Sequence, residues 1–208
     1  MKPRIWKNYY DVVILPPKNV RDHAITLSKK LEKYGTTWSL GEKYFIPHIS
    51  LYHIPVPPSR FNDFIDELKR IVSGYAPRTL ALTRITQLEQ YHAILAMTEN
   101  PAWLKELYRT IIKCTHTYFD MKYGVNELWG KKHLPRTMQK NIEAYGTPMV
   151  GRYFLPHITL GVLQGNGSSG EEIEKMKLKP LRFNVDAIAV CELGRSFSCQ
   201  RIVRKIFF

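Results

Sequence analysis

Cysteine, acidic residues and long apolar runs are all scarce in this chain of 208 residues, and each scarcity narrows the kind of protein it can be. Cys114, Cys191 and Cys199 are odd in number and show no CxxC or Cys/His metal spacing, so neither a disulfide framework nor a zinc site is suggested. A reducing cytoplasm is the expected setting. Cys191 and Cys199 are spaced to face one another across a hairpin, with buried free thiols as the expectation. Eighteen acidic residues stand against 31 Lys and Arg, a net charge of +13. That surplus favours a polyanionic partner through the summed field, although a solvated basic surface has the same composition. The basic start, Met1 to Lys7, leads into an apolar run too short for a signal segment or a membrane span, so no membrane association is expected. Gly165 to Gly170 is followed by no GK[ST] and opens no GxGxxG, which reads as a surface loop rather than a phosphate cradle.

What is present is enough apolar sequence, 44%, for a substantial core. Tyr10 to Pro16 reads as a buried first strand. A helix follows with Asn19 as its cap, Val20, Ala24, Leu27, Leu31 and Tyr34 inward, and Gly35 at its C-terminal end. Pro47 to Ile54 predicts a short strand. Ser59 then caps a helix that turns Phe61, Phe64, Ile65, Leu68 and Ile71 inward, and strands are expected over 78–86 and 91–98. Asn100-Pro101 starts the longest helix, with Leu104, Leu107, Tyr108 and Ile111 on its inner stripe. Residues 123–150 lack clear periodicity and read as an insertion with some helix at 137–144. Strands are expected over 182–193 and 197–207.

The chain repeats itself. Phe154-Leu155-Pro156-His157-Ile158-Thr159-Leu160 matches Phe45-Ile46-Pro47-His48-Ile49-Ser50-Leu51 almost position by position, as a duplication would. Strand alternation sends His48 and Ser50 to one face, Ile49 and Leu51 to the other, and does the same for His157 and Thr159. Opening a phosphodiester with water requires a base on one side of phosphorus and an acid on the other. Two imidazoles with an ordinary pKa of about 6.5 suit that division, one neutral and one protonated. The hydroxyls of Ser50 and Thr159 are expected to donate to the non-bridging oxygens. Neither motif carries a carboxylate or third ligand at metal spacing, so no metal and no cofactor is expected.

These paired His-x-Ser/Thr motifs, His48-Ile49-Ser50 and His157-Ile158-Thr159, resemble those of the two-histidine (2H) phosphoesterases. That family includes the RNA 2′,3′-cyclic phosphodiesterases, also called 2′-5′ RNA ligases, and the plant cyclic phosphodiesterases. The resemblance implies an α+β, bilobal, pseudo-symmetric fold in which two antiparallel sheets line a central groove, with helices outside. The expected organisation is a single bilobal domain over 1–208, with lobe one about 1–99 and lobe two about 100–208, the latter holding the insertion at about 123–150. The resemblance also implies that His157 activates water and His48 protonates the leaving 3′-oxygen, giving a 2′-phosphate, an assignment that can reverse for other substrates. Ser50 stands where threonine is commoner in the family, which keeps the donor and removes a methyl. The expected partner is RNA or a nucleotide with a cyclic phosphate, and the expected state a monomer. Tyr145 to Val150 also resembles an uncharacterised 2H branch encoded near phosphonate-degradation genes, which leaves a small non-RNA cyclic phosphate open. So does a non-catalytic RNA-binding module of the same fold, although such a module has no need of two acid–base pairs.

Further candidates for substrate binding are Tyr52, placed by alternation on the face of Ser50 and suited to base stacking or to packing in the groove floor, and Tyr153. Tyr44, Phe45 and Phe154 also adjoin the motifs, with packing expected for the phenylalanines. Lys43, Arg152 and Arg195 are candidate phosphate contacts, as are Lys131, Lys132 and Arg136 in the insertion. His53 is expected to face away from His48 and His23 to sit on a helix surface, while His92, His116 and His133 fit no pattern.

Overall fold

The computed structural model describes residues 5–123, 134–164 and 180–208, together with 173, 176 and 178. Strand β1 (Ile5–Ile14) leads through Pro16-Pro17 to helix α1 (Lys18–Lys30), then to β2 (Ile49–Pro55), α2 (Phe61–Val72), β3 (Arg78–Leu88) and β4 (Ala93–Thr98). Helices α3 (Ala102–Thr115) and α4 (Arg136–Tyr145) precede β5 (His157–Val162), β6 (Leu181–Val185), β7 (Ala187–Gly194) and β8 (Ser198–Phe207). Among the described residues these strands form two four-stranded antiparallel sheets, ordered β2-β1-β7-β8 and β5-β4-β3-β6. The fold is therefore α+β with paired antiparallel sheets, as the resemblance implies. Each sheet draws two strands from either side of residue 100, so the midpoint of the sequence repeat does not divide the sheets.

The exchange happens at Asp186. The expected strand over 182–193 is two strands, β6 in one sheet and β7 in the other, with Asp186 as the single residue between them. Strand β1 begins five residues earlier than expected because Ile5 pairs with Gly194 of β7, a partner invisible to local pattern. Helix starts also differ. Neither Asn19, Ser59 nor Asn100 caps its helix: α1 and α3 begin directly after Pro17 and Pro101, and Ser59 lies in a single turn, Pro58–Arg60, ahead of α2. Proline holds φ near the helical value, and the Pro17 carbonyl accepts from the Val20 and Arg21 amides, so no side-chain cap is needed. Helix α4 starts after Pro135 in the same way.

One apolar core joins the two sheets to the helices. Ile49, Tyr52 and Ile54 of β2 meet Ile94, Ile158 and Leu160 of the other sheet, Leu27 and Leu31 at the end of α1, Phe64 and Leu68 of α2, and Leu104, Leu107 and Ile111 of α3. Each fully buried Ile or Leu contributes about 1.5–3 kcal/mol relative to exposure. Helix α1 packs on β5 and α3 packs on β2, so each half of the chain covers the motif strand of the other. No helix among the described residues is long and apolar enough to cross a membrane.

Helix α4 ends against β2. The Tyr52 hydroxyl donates to the Tyr145 carbonyl at 2.8 Å, and Gly146 turns the chain at φ +75°, where a Cβ would lie 2.9 Å from Cδ of Pro55. Gly146→Ala is expected to lower the unfolding free energy by about 1–3 kcal/mol in urea titrations. An unchanged midpoint would show that α4 is not held against β2 at this turn.

Candidate active site

Both motifs open onto one groove of about 390 Å³ lined by His48, Ser50, His157 and Thr159. Strands β2 and β5 lie side by side in space although they belong to different sheets, which brings the two copies together. In each copy the imidazole Nδ1 bonds the carbonyl two residues upstream: His48 to Ile46 at 2.7 Å, His157 to Leu155 at 2.6 Å. A carbonyl only accepts, so Nδ1 carries the hydrogen and Nε2 is left to meet a ligand.

Both motif strands carry a bulge at the same place. Val12 pairs with Tyr52 and Val13 with Ser50, skipping Leu51; Ile94 pairs with Gly161 and Leu95 with Thr159, skipping Leu160. An inserted residue reverses the alternation beyond it. In β5 the Leu160 carbonyl accepts from Ser28 of α1 at 2.5 Å, so a helix pins the irregularity.

The bulge overturns two expectations. Tyr52 does not share the face of Ser50: it pairs with Val12, is 2% exposed, and serves as groove floor with its hydroxyl tied to Tyr145. His53 does not face away from His48. It pairs with Asp11, lines the groove, and its Nε2 lies 3.1 Å from Asp11 Oδ2 and 3.3 Å from Ser50 Oγ.

Asp11 was not among the candidates, yet it is the centre of the first motif. It is fully buried, and its Oδ2 accepts from Ser50 Oγ at 2.6 Å while His48 Nε2 stands at 3.5 Å. Ser50 therefore gives its one proton to a carboxylate and not to the groove. The Thr159 hydroxyl, which lines the groove, has no hydrogen-bond partner among the described residues. The signal for Asp11 was a lone carboxylate inside the apolar run Tyr10 to Ile14.

Other expected contacts lie elsewhere. Arg152 is exposed and donates to the Tyr153 hydroxyl at 2.9 Å and to Thr137 at 3.4 Å; neither Arg152 nor Tyr153 lines the groove. Lys43 and Arg136 are exposed and also outside the lining. The Arg195–Phe197 turn does reach the groove through Ser196 and Phe197, while the side chain of Arg195 lies outside the described residues, as do Lys131, Lys132, His133 and the 165–170 loop. Phe45 stacks on Trp38, and Phe154 lines the groove while stacking on Tyr108 with centroids 3.8 Å apart. His116 bonds carbonyls at the end of α3, and His92 takes a left-handed turn before β4. Cys191 and Cys199 are buried free thiols beneath the groove.

Leu88, Tyr91, Leu95, Leu134, Met149, Leu155, Val162 and Phe197 supply most of the remaining wall, and no Lys or Arg is among the described lining. Among the described residues no group of three His, Cys, Asp or Glu is placed to hold a metal ion. Burial pushes His157 down to about 4, against the upward pull of its bond to Leu155 and with the charges of His48 and His53 adding to the fall. Burial also lowers His48, opposed there by the Asp11 carboxylate.

A groove between two antiparallel sheets, entered by one His-x-Ser/Thr motif from each, defines a two-histidine phosphoesterase architecture. The model of the 2′-5′ RNA ligase superfamily matches residues 44–196, and the chain belongs to that family, within the 2H phosphoesterases. Among solved structures it is similar to TT0787 of Thermus thermophilus, with 17% identity, 96% of this chain and 97% of that chain covered, and a TM-score of 0.65. It is also similar to Escherichia coli LigT in its apo form (15% identity, 100% and 96% covered, TM-score 0.58) and complexed with 3′-AMP (15% identity, 97% and 95% covered, TM-score 0.56). Among curated protein sequences none matches.

The low His157 value has a consequence for stability. An unfolded chain protonates His157 near about pH 6.5, the fold only near about 4. Between those values the unfolded state binds more protons, so this group makes the fold less stable as pH falls through the window. His157→Gln is expected to flatten that decline in urea unfolding compared at about pH 7 and about pH 4.5. An undiminished decline would contradict the neutral state of this imidazole in the fold.

Proposed function

We propose that this chain is a phosphodiesterase that opens 2′,3′-cyclic phosphates, or cleaves 2′-5′ linkages, of RNA ends or nucleotides by two-histidine acid–base catalysis, acting as a monomer in the cytoplasm. The observation that carries the reading is the pair of Nδ1-locked imidazoles, each with its Nε2 left for a ligand in one groove. His157, neutral at working pH, takes a proton from water as the water attacks phosphorus. His48 gives its proton to the leaving 3′-oxygen as that P–O bond breaks, and a 2′-phosphate and a free 3′-hydroxyl result. Thr159 donates to a non-bridging oxygen as charge gathers there. No step in this scheme calls for a metal ion.

The lining favours a small substrate or a chain end over a long polyanion. Apolar side chains surround the motifs and the described wall has no Lys or Arg, so one phosphate and one flat apolar body suit it better than a run of phosphates. The LigT structures complexed with 3′-AMP, NADP+ and ATP support a nucleotide as that body. The same lining also favours a second reading, a small cyclic phosphate outside RNA.

The test is hydrolysis of 2′,3′-cyclic nucleotides, 2′-5′ dinucleotides and simple cyclic phosphate esters in EDTA. Turnover of at least one is expected, with kcat lowered about 10²–10⁴-fold by His48→Ala and by His157→Ala. Full activity in both variants would overturn the mechanism. Activity lost in EDTA and restored by a divalent cation would overturn its metal independence.

A further inference from the structure

The two motifs are copies in sequence but not in surroundings. The matching bulges align the halves residue by residue: Ser50 with Thr159, Tyr52 with Gly161, His53 with Val162, and their β-partners Asp11 with Ala93 and Val13 with Leu95. One half thus holds a buried carboxylate and a third imidazole where the other holds Ala93 and Val162, packed with Leu95 and Met97. A duplication that kept both copies equal would not produce this.

Asp11 Oδ2 gathers Ser50 Oγ at 2.6 Å, His53 Nε2 at 3.1 Å and His48 Nε2 at 3.5 Å, while Oδ1 is buried with no hydrogen-bond partner among the described residues. A carboxylate so enclosed needs a positive charge beside it, since a buried unpaired anion costs several kcal/mol. His48 is close enough to supply that charge once protonated, and at 3.5 Å it makes no hydrogen bond to Asp11, so its Nε2 stays open to the groove. His53 is held against the same carboxylate: its ring stacks on Phe197 at 5.4 Å and 12°, and its Nε2 is spent on Asp11 and Ser50 and not on a ligand. Phe197 keeps that position from a left-handed turn, with φ +59° at Ser196 and +55° at Phe197. A backbone strained at two non-glycine residues marks a placement that the surroundings enforce.

We propose that Asp11 is a positioning residue that makes the motifs unequal: with His53 it holds His48 as the proton donor and takes the Ser50 proton, so that Thr159 is the hydroxyl that meets the phosphate. This rests on the reaction proposed above and supplies its direction. The groups facing Asp11 are His48, Ser50 and His53 from the β2 side, Cys191 across the ladder on β7 with Cys199 of β8 behind it, and His157 from β5. The thiols are buried and Cys191 is raised well above the ordinary thiol range, which leaves the imidazoles to carry the neutralising proton.

Side-chain NMR titration of the histidines in the full chain reads this without any substrate. In the wild type His48 is expected to titrate above His157, and Asp11→Asn to lower the His48 midpoint by about one pH unit or more while His157 moves less. In assays with a 2′,3′-cyclic nucleotide, Asp11→Asn moves the alkaline limb of kcat/KM to lower pH. His53→Gln, which keeps a donor to Asp11, retains the wild-type limb. Thr159→Ala lowers kcat/KM about tenfold more than Ser50→Ala. A His157 midpoint above that of His48, an unmoved His48 in Asp11→Asn, or equal losses in the two hydroxyl variants would each overturn the proposal. If Asp11→Asn does not fold, the wild-type order of midpoints and the hydroxyl pair decide it. If the wild type turns over no cyclic phosphate, the reaction fails while the titrations still decide the role of Asp11.

Discussion

A single hydrogen bond, from the Nδ1–H of a motif histidine to the carbonyl two residues before it, governs what the groove can do. It occurs twice, at His48 with Ile46 and at His157 with Leu155. Each bond fixes a tautomer, orients a ring and leaves one nitrogen for chemistry. The proline between donor and acceptor, Pro47 or Pro156, fixes φ there and so restrains the backbone that brings the carbonyl back to the ring. The sheets exist to carry these two short segments toward one another. Ile49 and Ile158, both fully buried, hold the strands behind them against the helices.

Duplication explains the shared geometry, and divergence explains the chemistry. A symmetric pair of imidazoles in one pocket would share a proton without assigning it. The two environments differ in charge, Asp11 and His53 against Ala93 and Val162, and in the proposed reaction that difference separates acid from base. The chain's excess of positive charge is not used in the described wall, which is apolar apart from the motifs, His53, Thr147 and a few rim groups. Among the described residues that charge lies outside the lining, where in the proposed reaction it draws an anionic substrate in without competing for its phosphate.

Much of this was legible in the residues. The repeated Pro-His-Ile-Ser/Thr-Leu segment located both motif strands, and helical spacing located α2 and α3 through Phe64, Leu68, Leu104 and Ile111. What was not legible follows from one limit: alternation reads faces only while a strand is regular. The extra residue at Leu51 moved His53 into the groove and turned Tyr52 off the face of Ser50 into the groove floor, and nothing in the local pattern announces a bulge that pairing with β1 creates. Asp186 is similar, since a single residue between two strands of different sheets looks like the middle of one strand. Asp11 was visible as a carboxylate among valines, but its meaning depended on three partners brought from β2. Arg152 and Tyr153, close to His157 in sequence, turned instead toward Thr137 of α4, because the turn at Gly151 carries them outward.

The central claim is that one phosphorus atom is flanked by both imidazoles at once. A crystal structure of the chain with a bound nucleoside 2′-monophosphate tests it most directly. The account requires the phosphate in the groove, with Nε2 of His48 and Nε2 of His157 each within about 3 Å of a different phosphate oxygen. A phosphate bound outside the groove, or touched by one imidazole with the other facing solvent, would contradict it.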